Sequence, residues 1–482
     1  MNKFDIKKIF DKFKNNPAII SKQKTLTYES LFNLILKFLD HYKSLKIEKG
    51  ENIAILSNDP LNITISILSL ISYGALAVPI NRKLPEHTVS KMLNSMNCNK
   101  IFIDDNLNDS YHFEKIDKIP YPNINDIDSH KTKSIFIDLK QSATIIFTSG
   151  TSGTAKGAVH SLENHICNAL GSKLNIPIKE NNRWLLSLPL YSVGGIAILF
   201  RCLISGAAIV IPQNKKNLPL IVKKYQITHL SLVPTQLYQL IKGIKENSVL
   251  QSIKSILIGG DRISKKLFDK SIDLKLPIYL SYGSTEMSSQ ITTTSKIKTK
   301  QEIINSGKLL KYRNLKINTE NEILVQGKTL FKGYYRDNKI INNTDVNGWF
   351  KTGDLGYFDK NNNLIVYGRK TNMFISGGEN IYPEEIEKYL EEYPNIVQAI
   401  VIPIKNSEFG ERPIAFIKVL NDSEIDDNKI NNHLLDFLPK FKIPLYYINY
   451  QNVENDYKSK RSFLKEIASK YEENSIHDSR CY

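Results

Sequence analysis

Thr148 to Gly157 reads Thr-Ser-Gly-Thr-Ser-Gly-Thr-Ala-Lys-Gly, the densest run of hydroxyls, glycines and positive charge in the chain. Gly150 and Gly153 let a backbone bend around an anion and turn several N–H groups towards it. The hydroxyls of Thr148, Ser149, Thr151, Ser152 and Thr154 add donors, and Lys156 adds charge. This is chemistry for phosphate. The run follows Ala143-Thr-Ile-Ile-Phe147, which predicts a buried strand, and enters a polar stretch able to open a helix. Strand, loop, helix is therefore the expectation, with the anion at the helix entrance. A Gly/Ser/Thr run can also serve as a flexible linker. No Gly-Lys-[Ser/Thr] follows at the required spacing, which argues against an ordinary P-loop NTPase.

Three further stretches put anion- or ribose-competent groups after an apolar strand or inside a turn. Ile278-Tyr-Leu-Ser-Tyr-Gly-Ser-Thr-Glu286 offers Tyr282 to stack on a base, Thr285 for phosphate, and Glu286 for a hard cation bridging phosphates. A strand ending in an ordinary helix cap reads the same way. Gly348-Trp-Phe-Lys-Thr-Gly-Asp-Leu-Gly356 offers Asp354, whose carboxylate can accept two ribose hydroxyls or simply close a turn. Gly368-Arg-Lys-Thr-Asn-Met-Phe-Ile-Ser-Gly-Gly-Glu-Asn-Ile-Tyr-Pro-Glu-Glu-Ile-Glu387 has glycines for tight turns and supplies Arg369, a fixed guanidinium fork. One further residue stands apart: Arg201 lies in the apolar stretch Ile198-Leu-Phe-Arg-Cys-Leu203 and needs an anionic partner, either a ligand or a buried structural carboxylate.

The elements that must position these groups follow from patterning. An amphipathic helix is predicted from Leu26 to about Leu45, a strand at Asn52–Ser57, a helix at Pro60–Tyr73, and strands at Leu76–Ile80 and Lys100–Asp104. Alternation of apolar strands with helices predicts an α/β fold with parallel sheets covered on both faces. Residues 105–138, rich in Asn, Asp, Ile and Lys, read as an irregular connection. Short strands and turns from Asn305 to Gly368 predict a small β subdomain, and the last hundred or so residues carry a mixed pattern sufficient for a smaller α+β domain. The predicted division is residues 1–369 and 370–482.

Whole-chain properties exclude several classes. The chain has 482 residues and a formal net charge of +16, but the excess is scattered lysine, which reads as a solvated face attractive to small anions. Neither nucleic acid nor a membrane surface is expected as a partner. Cys98, Cys167, Cys202 and Cys481 show no metal-ligand spacing, fitting reduced thiols and a cytoplasmic location. No apolar run reaches the length of a membrane span, and the first residues lack the apolar core of a signal peptide. Self-association of identical chains is left open.

In combination and order, these motifs resemble the adenylate-forming superfamily of acyl-CoA synthetases, adenylation domains and luciferases, over nearly the whole chain. Leu188-Pro-Leu-Tyr-Ser-Val-Gly-Gly195, Ile198–Leu203, Thr228-His-Leu-Ser-Leu-Val-Pro-Thr-Gln-Leu237 and Glu408-Phe-Gly-Glu-Arg-Pro413 are similar to its o-succinylbenzoate-CoA ligases of menaquinone biosynthesis. The resemblance implies a ligase in which a carboxylate attacks the α-phosphate of ATP, with Mg2+, to give an acyl-adenylate and pyrophosphate. A mobile C-terminal domain then rotates, and the thiol of coenzyme A displaces AMP. It further implies the opening loop on the β- and γ-phosphates, Tyr282 on adenine, Thr285 on the α-phosphate, Glu286 on magnesium, and Asp354 with Arg369 on ribose. Gly259 and Gly260, beside Asp261, would border the acyl pocket with Ser192 and Gly194, and Arg201 would meet the substrate's second carboxylate.

For the adenylation lysine the family spacing places Arg three residues on and an apolar position six on. Lys458, with Arg461 and Leu464, satisfies it, whereas Lys460 does not. The chain departs from the family at several points: Tyr457 precedes Lys458 in place of glycine, Ser192 stands for a usual histidine, Gly194 for a frequent serine, Ala155 for a proline, and Thr371-Asn372 for the usual charged hinge pair. Other implied readings are an aryl- or fatty-acyl-CoA ligase of different specificity, and a nucleotide-binding protein without catalysis.

Overall fold

A computed structural model describes residues 3–108, 111–113, 116–122, 134–148, 156–213, 217–244, 250–300, 304–419, 426–450, 461 and 463–468. Ser149, Gly150, Thr151, Ser152, Gly153, Thr154, Lys458 and Lys460 lie outside the described residues.

Two large sheets carry most of the first 340 residues. In one, Asn52–Leu56 lies between Leu76–Pro79 and Lys100–Ile103, all three parallel and continuously apolar, and Ser142–Thr148 extends the sheet beyond Leu76–Pro79. In the other, Arg183–Leu185, His229–Leu232, Ser255–Ile258 and Ile278–Ser284 run parallel. Helices Tyr28–Ser44 and Pro60–Tyr73 pack on each other between these layers, burying Leu34, Ile35, Phe38, Ile65 and Ile67 in one continuous core. The Pro60–Tyr73 helix begins where Asp59 accepts the Leu61 N–H at 2.9 Å and ends at Gly74 in the left-handed region.

Both sheets are mixed rather than wholly parallel. The expected strand, loop, helix around Thr148 is instead strand, loop, strand: Lys156–Ser161 returns antiparallel to Ser142–Thr148, pairing Lys156 with Thr148. The reason is burial, because Gly157-Ala-Val-His-Ser161 is enclosed and its backbone groups must pair with a neighbouring strand. The helix begins only at Leu162, where Ser161 and Asn164 form a reciprocal cap.

Between Asn305 and Gly368 the expected β texture is present. Arg313–Ile317, Glu322–Gly327, Phe350–Phe358 and Leu364–Arg369 form an antiparallel four-stranded sheet. Beyond it, Ile396–Asn406 and Gly410–Val419 form a long antiparallel hairpin with helices Pro383–Glu392 and Asp427–Leu435. This hairpin buries residues on both faces: Val401, Ala415 and Ile417 meet the two helices, whereas Ile400, Ile402 and Phe416 meet Leu464 and Ala468. The segment touches the preceding chain through Arg262, whose Nη2 lies 3.0 Å from Glu391, and through Lys266 donating to the Tyr393 carbonyl.

Three histidines among the described residues, His160, His165 and His229, are buried as neutral groups, desolvation holding His165 well below its ordinary value. His160 and His229 are fully enclosed, and desolvation is the main cause that lowers each to about 4. An unfolded histidine takes up its proton near pH 6.5, so each contributes stability above that pH and loses it as the pH falls towards 4. The loss amounts to about 3 kcal/mol per residue over that range. Urea midpoints should therefore fall steeply between pH 6.5 and 4. A His229→Gln variant should show a shallower slope, and an unchanged slope would assign the acid sensitivity elsewhere.

Candidate functional site

One hairpin organises the site. Ile278–Ser284 runs out of the second sheet, turns through Thr285–Ser288, and returns as Ser289–Thr293. The register shifts between Tyr282 and Gly283, and the backbones then approach so closely that a Cβ on Gly283 would lie 1.9 Å from the Ser289 carbonyl oxygen. Ser288 and Ser289 hold φ of +56° and +108°, the second outside the region side chains tolerate well. Such strain persists only where surroundings enforce it, and it collects at functional sites. Two enforcers are visible. The His160 Nε2 lies 2.7 Å from the Thr285 carbonyl, and the Phe331 N–H donates to the Glu286 carbonyl at 2.7 Å. A carbonyl only accepts, so the neutral imidazole carries its proton on Nε2.

The structure brings together three of the residues singled out by sequence. Tyr282 donates its hydroxyl to Asp354 Oδ2 at 2.7 Å, and Arg369 Nε lies 3.5 Å from Asp354 Oδ1. Asp354 and Arg369 face each other across neighbouring antiparallel strands, Phe350–Phe358 and Leu364–Arg369. Burial, and after it the Asp354 charge, raises the Tyr282 phenol well above its ordinary value, so it remains a donor. Gly259 backs onto the same strand, its missing Cβ 3.4 Å from the Ser281 carbonyl, and Gly260 follows in the left-handed region.

Thr285 and Glu286 stand in the turn beside this cluster. Tyr334 donates to Glu286 Oε1 at 2.6 Å, and Lys156 Nζ lies 5.5 Å from the centre of the Tyr334 ring. Tyr334 therefore links the end of the phosphate-compatible loop to the carboxylate. Its position had no signal in the sequence, because the link spans residues far apart in the chain. Glu286 suits Mg2+: its second oxygen remains for a cation, and that ion is commonly bound by one or two carboxylates with substrate phosphates and water. Among the described residues no group of three or more His, Cys, Asp or Glu side chains could hold a metal by itself.

Arg201 occupies the last turn of helix Val193–Leu203 and is 2% exposed. Its Nη2 donates to Gln290 Oε1 at 2.7 Å, its guanidinium carbon lies 5.3 Å from the Trp184 ring centre, and its Nε has no hydrogen-bond partner among the described residues. Among the described residues no carboxylate pairs with it. Desolvation lowers the guanidinium to about 10, which leaves it charged at neutral pH. The same helix opens at Ser192, whose hydroxyl donates to the Pro189 carbonyl at 2.8 Å and accepts from the Gly195 N–H at 3.5 Å. Ser192 is thus occupied as a cap. A Cβ on Gly194 would lie 2.8 Å from Leu188 Cδ1, whereas one on Gly195 would strike the Pro189 carbonyl at 2.1 Å. Gly195 is the residue the bend cannot replace, and sequence reasoning did not single it out.

A nucleotide-compatible cluster on this hairpin, with a buried guanidinium held by Gln290 of its returning strand, fits an enzyme that joins a phosphorylated nucleotide to an acid. Residues 6–335 match the family described as AMP-binding enzyme, and the chain belongs to that family. More particularly, the 2-succinylbenzoate–CoA ligase of Bacillus licheniformis is 31% identical over 450 residues, covering 89% of this chain and 91% of that protein. That of Listeria monocytogenes is 29% identical, with 94% and 97% covered. The o-succinylbenzoate CoA synthetase from Bacillus subtilis, in complex with the acyl-adenylate intermediate, superposes with a TM-score of 0.85 at 26% identity, covering 100% of this chain and 99% of that one. In complex with ATP and magnesium ion, the same enzyme gives 0.86 at 27% identity, covering 96% and 100%.

Gly283→Ala tests the hairpin. Displacing the backbone here should cost about 1–3 kcal/mol of stability and lower the rate of pyrophosphate release about a hundredfold, since small misplacements of reacting groups are that costly. Wild-type turnover by a folded variant would show that the close approach does not position the site.

Proposed function

We propose that this protein ligates o-succinylbenzoate to coenzyme A through an acyl-adenylate, consuming ATP with Mg2+ and releasing AMP and pyrophosphate. The observation that carries the acid specificity is Arg201, a buried cation with no carboxylate partner among the described residues. A substrate with two carboxylates answers it: one is activated, and the other supplies the missing anion. The relatives named as ligases of this acid support the same reading.

In this reading Tyr282 lies against adenine, while Asp354 with Arg369 receives the ribose hydroxyls. Thr285 and Lys156 hold phosphate oxygens, together with Thr148, Ser149, Gly150, Thr151, Ser152, Gly153 and Thr154. Glu286 would hold Mg2+, which would supply positive charge against the phosphate oxygens. The substrate carboxylate is itself the nucleophile, so no protein nucleophile is required. The buried cysteines fit this: desolvation raises Cys98 to about 12 and disfavours the Cys202 thiolate as well. Gly259, Gly260, Ser192 and Gly194 border the acid through backbone and small volume. Lys458 donates charge to the adenylation transition state from a C-terminal domain, residues 370–482, that moves against residues 1–369. A cytoplasmic location, where ATP and coenzyme A are available, belongs to the same proposal. Among the described residues no helix is long and apolar enough to cross a membrane.

The test is pyrophosphate release across a panel of carboxylic acids with ATP, magnesium and coenzyme A. O-Succinylbenzoate should be preferred, with a thioester as product. Lys458→Ala should reduce adenylation by about a hundredfold or more, whereas Lys460→Ala should retain it. Arg201→Ala should abolish the preference for a second carboxylate. Turnover of other acids but never o-succinylbenzoate, or indifference to Arg201→Ala, would favour a ligase of different specificity.

A further inference from the structure

Arg201 is not the only buried guanidinium in this region. Arg313, at the start of strand Arg313–Ile317, is 4% exposed, and every bond it makes ends on a neutral backbone carbonyl. Its Nε donates to Gln290 at 2.6 Å, Nη1 to Lys311 at 2.6 Å, and Nη2 to Asn168 at 3.5 Å. Helix Leu162–Asn175 makes room for it at Gly171, where a Cβ would lie 2.3 Å from Arg313 Nη1. Burial lowers Arg313 to about 9, and the second cause is the charge of Arg201. Both groups still carry their protons at neutral pH. Two buried cations therefore hold one residue, Gln290, by its backbone and by its side chain, and neither has a carboxylate among the described residues.

Gln290 can hold Arg201 in only one way. Its Nε2 lies 2.7 Å from Thr293 Oγ1, and the Thr293 hydroxyl donates its own proton to the Thr292 carbonyl at 2.7 Å. The Thr293 oxygen must therefore accept from Gln290, which commits the amide nitrogen to that side and turns Oε1 towards Arg201. A neutral amide orients the guanidinium without cancelling its charge, which a glutamate at this position would do.

We propose that Arg313 is a positioning residue for acid selection. It clamps the Gln290 backbone so that the Gln290 amide aims Arg201, and its charge adds to the demand for an anion. This rests on the reading of Arg201 as the partner of the substrate's second carboxylate. Neutral clamping groups could fix the same backbone; the second buried cation gives the site a preference for a dianionic over a monoanionic acid.

The experiment compares o-succinylbenzoate with 4-oxo-4-phenylbutanoate, the same skeleton with a single carboxylate. Arg313→Met should raise KM for o-succinylbenzoate about tenfold, the scale of coupling within one hydrogen-bond network. KM for ATP and kcat/KM for the monocarboxylate should stay within about twofold. In an Arg201→Ala background, Arg313→Met should raise KM by much less than it does in the wild-type protein, only the residual pull of its charge being left to lose. If Arg313→Met does not fold, Arg313→Lys decides: it keeps charge and loses the fork, and should show a smaller, equally selective rise. Equal losses on both acids, unchanged selectivity, or additivity with Arg201→Ala would overturn the positioning role while leaving the function standing. A wild-type protein inactive on o-succinylbenzoate would overturn both.

Discussion

The close approach of Gly283 to the Ser289 carbonyl is the constraint on which the site depends. Glycine lets two antiparallel backbones come within a distance that any side chain would forbid, and the strained Ser288 and Ser289 complete the turn. Tyr282, Thr285 and Glu286 lie along the outgoing strand and turn of this hairpin, and Gln290 lies on its returning strand. Asp354 and Arg201 come from other elements and meet this one hairpin through side chains, Asp354 accepting from Tyr282 and Arg201 donating to Gln290. The spacing of Tyr282 from Gln290 is set by sheet pairing, which in turn fixes where these two contacts fall.

Charge is managed differently on the two sides. Asp354 and Glu286 accept from phenol donors, Tyr282 and Tyr334, which orient the carboxylates, and Asp354 also lies 3.5 Å from the Arg369 guanidinium. Arg201 and Arg313 are held by neutral acceptors, which leave their charge uncancelled. Burying charge without a counter-ion is costly, so these guanidinia make sense only if surrounding bonds and an incoming anion offset the loss of water. The scattered lysines of the surface contribute a general attraction for anions and no selectivity.

The C-terminal sheet has a different internal logic. Its hairpin is apolar on both faces, and its buried ion pair, Arg461 with Glu387 at 2.5 Å, ties the last described helix back to Pro383–Glu392. Among the described residues few polar contacts join it to the preceding chain: Lys370 reaches Glu320 and the Gly353 carbonyl at the junction, and Arg262 to Glu391 and Lys266 to Tyr393 are exposed or partly so, and exposed pairs contribute little. That balance, strong within and weak between, suits a unit that moves against its neighbour.

Much of the fold was legible because it follows from local periodicity. The helix Pro60–Tyr73 was readable to the residue, with proline at its start and Gly74 at its end, and the parallel strands announced themselves as apolar runs. The order of Thr148, Tyr282, Glu286, Asp354 and Arg369 was enough to indicate nucleotide chemistry, because residue type alone limits what can bind phosphate, cation or ribose. What followed Gly157 was misread, since a short polar and apolar mixture becomes strand or helix according to which neighbour satisfies its backbone. The roles of His160, Tyr334, Gln290 and Arg313 were likewise invisible, each depending on a contact between residues more than 20 apart in the chain. The sequence by itself determined that Arg201 needs an anion; only the tertiary structure decided that a neutral amide faces it and a second buried cation stands behind that amide, because burial and partners are properties of packing.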